Sequence, residues 1–133
     1  MRVSARAETI DRDGRRVSLS DGAALAYDYL ILATGSRNRP LPVAGADLGG
    51  VLELRSAAHA DALQAALQPG KRLAVVGGGF IGLEVAASAR KLGVEVTVIE
   101  REPRLLSRVV CPEVSAFFTK RHEEEGVELL LDV

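Results

Sequence analysis

Glycines at fixed spacing are the feature of this sequence that most directly indicates chemistry. Gly77, Gly79 and Gly82 complete a G-x-G-x-x-G pattern, with Phe80 and Ile81 in its paired variable positions. A short apolar run precedes the pattern and a helix-forming run follows it. At such a turn the unpaired backbone N–H groups and the dipole of the helix N-terminus favour an anion. The pattern therefore predicts a dinucleotide site in which this turn binds the pyrophosphate. The alternative is a tight strand–helix turn with only a structural role.

An acidic residue extends the pattern. Glu100 lies 18 residues after Gly82, near the offset of about 20 residues at which an acid accepts hydrogen bonds from a ribose 2′-OH. A carboxylate at this position repels a 2′-phosphate, so we expect NADH to be preferred over NADPH. Arg101 and Arg104 weaken that preference, because nearby arginines can hold a 2′-phosphate.

The segments around the glycines have the periodicities of a parallel α/β unit. The predicted elements are a strand at 73–76, a helix ending at Gly93, a strand at 94–99, a helix from Pro112 that stops at Gly126, and a strand at 127–131. Right-handed crossovers order the three strands 3-2-1, which is half of a Rossmann-type sheet (β-α-β-α-β) with strand 73–76 on an edge. Helical spacing gives an apolar side to each of these two helices: Ile81, Val85, Ala89 and Leu92 in the first, and Val114, Phe117 and Phe118 in the second.

The residues before this unit predict a small antiparallel β unit and a crossing into a second domain. Strands are expected at 3–10, 16–19 and 27–33, with turns at 11–14 and 20–22. Residues 1–36 then form one domain piece, 37–54 a proline-stiffened linker, and 55–133 the start of a second domain. Ser56 is expected to cap a helix that extends to about Gln68, with Ala58, Leu63, Ala66 and Leu67 on its apolar side.

Composition limits the possible functions. The chain has 133 residues, 47% of them hydrophobic, and a formal net charge of −1, which argues against nucleic-acid or membrane-surface binding. A single cysteine, Cys111, suits a reducing cytoplasm, and we interpret it as a buried or incidental thiol. His59 and His122 lack partners at metal-ligand spacing and are interpreted as solvated helix residues, so no metal site is expected.

Four stretches together resemble a known family. They are YLILATGS at 29–36, VVGGGFIGLEVA at 75–86, REPRLL at 101–106 and PEVSAFF at 112–118. The chain resembles the FAD-dependent pyridine nucleotide-disulfide oxidoreductases, and within them the ferredoxin, putidaredoxin and rubredoxin reductase branch. The resemblance implies a flavoprotein in which NADH gives hydride to FAD and electrons then pass singly to a small iron–sulfur protein.

The same resemblance implies roles for individual residues. NAD(H) would lie on residues 73–104, with Glu84 near the nicotinamide. Ala33, Thr34 and Gly35 would line the FAD site through backbone contacts, with Arg37 close by. None of these residues is expected to be catalytic in the sense of reacting itself.

The chain departs from the family pattern in two respects. A first G-x-G-x-x-G for FAD and a later G-D motif are not present. We therefore expect a middle fragment of an FAD-dependent enzyme, inactive alone, that pairs with the missing half of the fold or self-associates. Alternatives are a sister NADH oxidase or nitrite reductase flavoprotein, and a non-catalytic NAD-binding module. The electron acceptor stays undefined.

Overall fold

A computed structural model describes residues 2–133, which form two compact units, the first ending at Ser36 and the second running from Arg37 to Val133. The first unit holds an antiparallel sheet of three strands, β1 (Ala7–Asp11), β2 (Arg16–Leu19) and β3 (Ala24–Ala26), in that spatial order. Alternation along β2 buries its two apolar side chains, at 8% and 7% exposure. The predicted antiparallel β unit is confirmed.

Residues 27–33 do not form a strand, and that prediction was wrong. They follow β3 without regular structure, and Tyr29 and Ile31 are 94% and 86% exposed. A continuous apolar strand needs a pairing strand and cover on both faces. Among the described residues of the first unit no strand pairs with this segment, since β1 and β3 each pair with β2 alone.

The second unit has the predicted β-α-β-α-β order after one preceding helix. Its elements are α1 (Ala57–Ala66), β4 (Arg72–Val76), α2 (Phe80–Lys91), β5 (Glu95–Glu100), α3 (Pro112–Glu124) and β6 (Val127–Leu131). The three strands are parallel in the order β4-β5-β6, with Val76 opposite Ile99 and Glu100 opposite Leu131. This is the predicted 3-2-1 order read from the other edge, so the fold class is confirmed.

The core of this unit lies between α2 and β5. Leu83, Ala86 and Ala89 of α2 are buried together with Val96 and Val98 of β5 and with Val94, which directly precedes that strand. The predicted apolar side of α2 was wrong at two of its four positions, because Ile81 and Leu92 are 59% and 46% exposed, whereas Ala89 is buried and Val85 is half-buried. The small side chains of Ala86 and Ala89 let the helix approach the sheet closely, so the face that carries them is the buried one.

The buried side of α3 also differs from its prediction. Val114 and Phe117 are exposed, Phe118 is half-buried, and Ser115 and His122 are buried. His122 is therefore not a solvated residue, and burial lowers the pKa of its imidazole below the ordinary value. Ser115 can be buried because its hydroxyl donates to the Leu105 carbonyl at 2.7 Å.

Helix α1 begins as predicted, since the Ser56 hydroxyl accepts a hydrogen bond from the His59 backbone N–H at 3.3 Å. None of its residues is fully buried; Leu63 is half-buried, whereas the predicted apolar positions Ala58 and Ala66 are exposed. His59 is half-buried too, and its Nδ1 has no hydrogen-bond partner among the described residues, so the interpretation as a solvated residue was wrong.

No helix within residues 2–133 combines the length and the apolar character that crossing a bilayer requires.

Cys111 is exposed at the N-cap position of α3. The expectation of a buried thiol was therefore wrong, and the interpretation as an incidental thiol is left.

Candidate functional site

The site begins where β4 ends and the chain turns into α2. Gly77 has φ 111°, a conformation that L side chains rarely adopt, and its N–H donates to the Ile99 carbonyl at 2.8 Å. A Cβ added at Gly77 would meet nothing within 4 Å. Glycine is therefore required there by backbone conformation and not by space.

Two other glycines of the turn are required by space. A Cβ at Gly82 would overlap the Gly77 carbonyl oxygen and lie 3.2 Å from Cγ1 of Val75. A Cβ at Gly78 would lie 2.7 Å from Cδ2 of Leu105. Gly78 occupies a variable position of the pattern, so sequence reasoning missed its role. The only signal for it was the unbroken run of three glycines.

Gly79 stands in contrast, because it faces open space. A Cβ added there would meet nothing within 4 Å, and its φ of −84° is accessible to any residue. Gly79 is the N-cap of α2 and provides no side-chain cap. The first-turn N–H groups, at Phe80 and Ile81 among others, precede the first intrahelical bond, which runs from the Leu83 N–H to the Gly79 carbonyl at 3.0 Å. Open space and unpaired donors thus coincide at one point of the turn.

Glu100 is bonded directly to this turn. It is the last residue of β5 and is half-buried. Its Oε2 accepts a hydrogen bond from the Gly78 N–H at 2.7 Å, and its Oε1 accepts one from the Glu102 N–H at 2.9 Å. An ionised carboxylate has about four acceptor positions, so each oxygen keeps capacity for a further donor. The acid is therefore fixed in place beside the glycines.

The loop that follows β5 is hydrogen-bonded to the glycine turn and holds it in place. Leu105 and Leu106 are 0% and 3% exposed, and the Leu106 N–H donates to the Gly78 carbonyl at 3.0 Å. The buried Ser115 hydroxyl donates to the Leu105 carbonyl at 2.7 Å. Both backbone groups of Gly78 are thus bonded, one to the acid and one to the loop, which holds the turn rigid.

Arg104 acts inside this loop. Its Nη1 donates to the Val110 carbonyl at 3.0 Å and its Nη2 to the Ser107 carbonyl at 2.8 Å. A 2′-phosphate would have to compete with these two bonds for the guanidinium. The bonds explain why an arginine is useful at this position without reference to a ligand.

Glu102 forms ion pairs with two exposed arginines of the same loop. One of its oxygens, Oε1, lies 2.9 Å from Nη2 of Arg108 and 3.4 Å from Nε of Arg101. The hydrogen bond from Arg108 is the main cause that holds the pKa of the Glu102 carboxyl below its ordinary value. Glu102 is thus ionised at neutral pH and is shared by two exposed cations.

Five further predicted site residues belong neither to the glycine turn nor to the loop after β5. Glu84 is exposed on α2, where it helps to line a largely apolar groove of about 320 Å³ between α1 and α2. Ala33, Thr34 and Gly35 are exposed, lie outside any strand and belong to the first unit, and exposed Arg37 begins the second unit. Within the second unit, the structure therefore brings together the glycine turn, Glu100 and the loop of residues 101–111, whereas Glu84 faces the groove beside α1.

Known proteins are similar to this chain over nearly its whole length. The sequence profile of the family described as pyridine nucleotide-disulphide oxidoreductase matches residues 1–133. The chain is 51% identical over 122 residues to rhodocoxin reductase of Rhodococcus erythropolis, a match that covers 92% of this chain and 29% of that protein.

Solved structures give the same result. A ferredoxin reductase from Rhodopseudomonas palustris has a TM-score of 0.85 and 45% identity, covering 98% of this chain and 32% of that one. A water-forming NADH oxidase from Lactobacillus brevis, solved with NADH, has a TM-score of 0.76 and 28% identity, covering 96% of this chain and 30% of that one. The chain thus spans about a third of the length of these relatives. With its whole length matched by the family profile, the chain belongs to the pyridine nucleotide-disulphide oxidoreductase family.

Proposed function

We propose that the second unit binds NADH as part of a longer flavoprotein, which transfers hydride from NADH to FAD and electrons onward to a small iron–sulfur protein of ferredoxin or rubredoxin type. The main support for the NADH site is the shape of the glycine turn. There is free space for a ligand at Gly79, none for a side chain at Gly78 or Gly82, and the turn is hydrogen-bonded to Glu100. The relatives named as rhodocoxin reductase and ferredoxin reductase, at 51% and 45% identity, support the reaction class.

The pyrophosphate of NADH would lie over Gly79. Because that residue has no side chain, the phosphate oxygens can approach the first-turn N–H groups of α2, including those of Phe80 and Ile81. Those donors lack intrahelical acceptors, so binding an anion satisfies them without breaking a bond within the protein. Gly77 and Gly82 would act indirectly, by setting the direction of the turn and the close approach of α2.

The adenosine ribose would be held by Glu100. Its two oxygens already accept one backbone hydrogen bond each, at 2.7 and 2.9 Å, so the carboxylate is oriented before the nucleotide arrives. A ribose hydroxyl can donate to the free acceptor positions, whereas a 2′-phosphate would meet a like charge. We therefore propose a preference for NADH over NADPH. Arg101 and Arg104 oppose this preference only to the extent that they leave their present partners.

The flavin side of the site is proposed on the family resemblance. Bound FAD supplies the group that accepts hydride and releases its two electrons one at a time. Ala33, Thr34 and Gly35 would contact it through backbone groups, with Arg37 nearby, and Glu84 would lie near the nicotinamide. Because residues 33–35 are exposed, FAD binding would need further residues to enclose the flavin, beyond those of the first unit that the structure describes.

The isolated chain is proposed to be inactive. It spans 29% and 32% of the length of two relatives, and residues 33–35 are exposed in the part of the first unit that the structure describes. We also propose that it self-associates or pairs with the rest of the fold. Edge strand β4 is bonded to β5 alone among the described strands, and Val76 at its end is 60% exposed. A cytoplasmic location is proposed from the single free cysteine.

The test is calorimetric titration of the chain with NADH. Wild type should bind, and Gly79→Ala should weaken binding at least about tenfold, or about 1.4 kcal/mol, because the new methyl group fills the space above the donors. Gly49→Ala is the matched control, since a Cβ there also meets nothing within 4 Å. Equal NADH affinity in all three proteins would refute the proposed site.

Two alternatives can be separated from this proposal. A sister NADH oxidase is favoured by the similarity to the Lactobacillus brevis enzyme, but at 28% identity that likeness is weaker than the 51% shared with a reductase. The longer protein should reduce an iron–sulfur acceptor faster than oxygen if the proposal is correct. A non-catalytic NAD-binding module would instead bind NADH and show no electron transfer in the longer protein with FAD and acceptor present.

A further inference from the structure

We propose that Glu102 is a specificity-determining residue, which disfavours NADPH by occupying the two arginines that could bind a 2′-phosphate. This inference rests on the proposed NADH site and extends it beyond the ribose acid Glu100. The two arginines are Arg101 and Arg108, and both bind the same oxygen of Glu102.

Geometry connects Glu102 to the ribose end of the site. Its backbone N–H donates to Oε1 of Glu100 at 2.9 Å, so the two acids are joined through one hydrogen bond. Its carboxylate is the less exposed partner in both ion pairs, at 32% exposure, whereas the side chains of Arg101 and Arg108 are 71% and 67% exposed. The acid is therefore the anchored member and the arginines are the members that can swing.

The other arginine of the loop is already engaged. Both terminal nitrogens of Arg104 donate to carbonyls of residues 107 and 110, at 2.8 and 3.0 Å. Arg101 and Arg108 are thus the loop cations whose partner is a side chain. A 2′-phosphate presents several acceptor oxygens and up to two negative charges, and it competes with a carboxylate for the planar fork of an arginine.

Charge explains the direction of the effect. When Glu102 is ionised, its carboxylate pairs with Arg101 and Arg108, and the negative charge of Glu100 lies close by. When the charge of Glu102 is removed, both arginines lose their carboxylate partner and a 2′-phosphate is repelled less. Exposed ion pairs contribute little each, so the change in selectivity should be modest.

The test measures dissociation constants of the 133-residue chain for NADH and NADPH by calorimetry. Glu102→Gln keeps the side-chain shape and the backbone hydrogen bond to Glu100. It should lower the ratio of the NADPH constant to the NADH constant roughly three- to tenfold, with NADH affinity changed less than about twofold. Glu123→Gln removes an exposed acid from α3 and should leave the ratio unchanged, which controls for net charge.

A triple variant identifies the cause. Adding Arg101→Gln and Arg108→Gln to Glu102→Gln should abolish the gain, because no released cation is left. If the triple variant keeps the full gain, the carboxylate acts by repulsion alone and the proposal is wrong. If Glu102→Gln leaves the ratio unchanged while wild type binds NADH, the inference fails and the proposed function stands. If wild type binds neither nucleotide, both fail.

Discussion

Two segments of this chain share one sequence pattern and adopt different structures. Residues 73–79 and residues 30–35 both consist of an apolar run that leads into a glycine. The first forms edge strand β4 and the open turn at Gly79, whereas the second is exposed and has no regular structure. Both contain a glycine at positive φ, Gly77 at 111° and Gly35 at 74°.

The difference lies in what each segment bonds to. Residues 72–76 pair with β5 along their whole length, and Gly78 is bonded through its N–H to Glu100 and through its carbonyl to the Leu106 N–H. Residues 28–35 have no strand partner among the described residues. An apolar run therefore becomes a strand only where a neighbouring strand satisfies its backbone, and a glycine turn becomes a site only where other residues hold it.

The largest expected effect comes from filling the close approach at Gly82. Gly82→Ala should destabilise the second unit by about 3 kcal/mol, because its Cβ would overlap the Gly77 carbonyl oxygen. Helix propensity alone would make the alanine variant more stable by about 1 kcal/mol. A loss of stability would therefore show that the overlap with the Gly77 carbonyl oxygen dominates. Urea denaturation measures it.

Gly79→Ala controls this experiment within the same turn. Its Cβ meets nothing within 4 Å, so it should lose about 1 kcal/mol or less, the size expected for an N-cap change. Similar losses for both variants would show that the turn is not held as tightly as its contacts indicate.

An intermediate effect on stability is expected when the pH is lowered, because His122 is buried on α3 of the second unit. Burial lowers the pKa of His122 below its ordinary value of 6.5, so between these two pKa values the unfolded chain binds more protons than the folded chain. The free energy of unfolding should therefore be constant above about pH 6.5 and fall as the pH drops toward the folded pKa. The charged groups Arg90, Lys91, Arg121 and Glu125 line the same cleft of about 380 Å³ between α2 and α3.

His122→Gln should flatten this part of the pH profile, measured by urea denaturation at pH values from 7.5 to 5. His59→Gln is the matched control on α1 and should keep the slope. A slope that survives in His122→Gln would assign the pH dependence to other groups.

The smallest effect is expected in the unpaired segment. Ile31→Ala should change stability by less than about 0.5 kcal/mol, because the side chain is 86% exposed. Val98→Ala should cost about 2 kcal/mol, since Val98 is fully buried in β5. Circular dichroism in urea compares the two variants. Comparable losses would mean that residues 27–33 pack in solution, and the contrast between the two segments would disappear.

Local patterns predicted the elements of the second unit well. The three parallel strands, the end of α2 before Gly93 and the serine cap of α1 follow from periodicity, glycine and capping chemistry, which act within a few residues. Spacing predicted Glu100 as the ribose acid, which stays a prediction, and the structure places its carboxylate in contact with the turn. These features depend on neighbours that are close in sequence or on one regular crossover.

Long-range packing explains the failures. The buried face of α2 depends on how closely its alanines approach β5, and nothing within the helix distinguishes that face from the one with Ile81 and Leu92. The role of Gly78 depends on Leu105, and the role of Arg104 on two carbonyls that only the folded loop presents. The missing strand at 27–33 depends on partners that pattern alone does not reveal.

Amide NMR of the chain during a titration with NADH gives the most direct test of the nucleotide site. We predict that the backbone signals of Gly79, Phe80 and Ile81 shift with a common dissociation constant, and that those of Glu100 and Glu102 shift with them. The signals of Ala33, Thr34 and Gly35 should stay in place, because the nucleotide is held by the second unit alone. Shifts confined to residues 33–35, or no shifts in the glycine turn at saturating NADH, would contradict the claim that this turn is the nucleotide site.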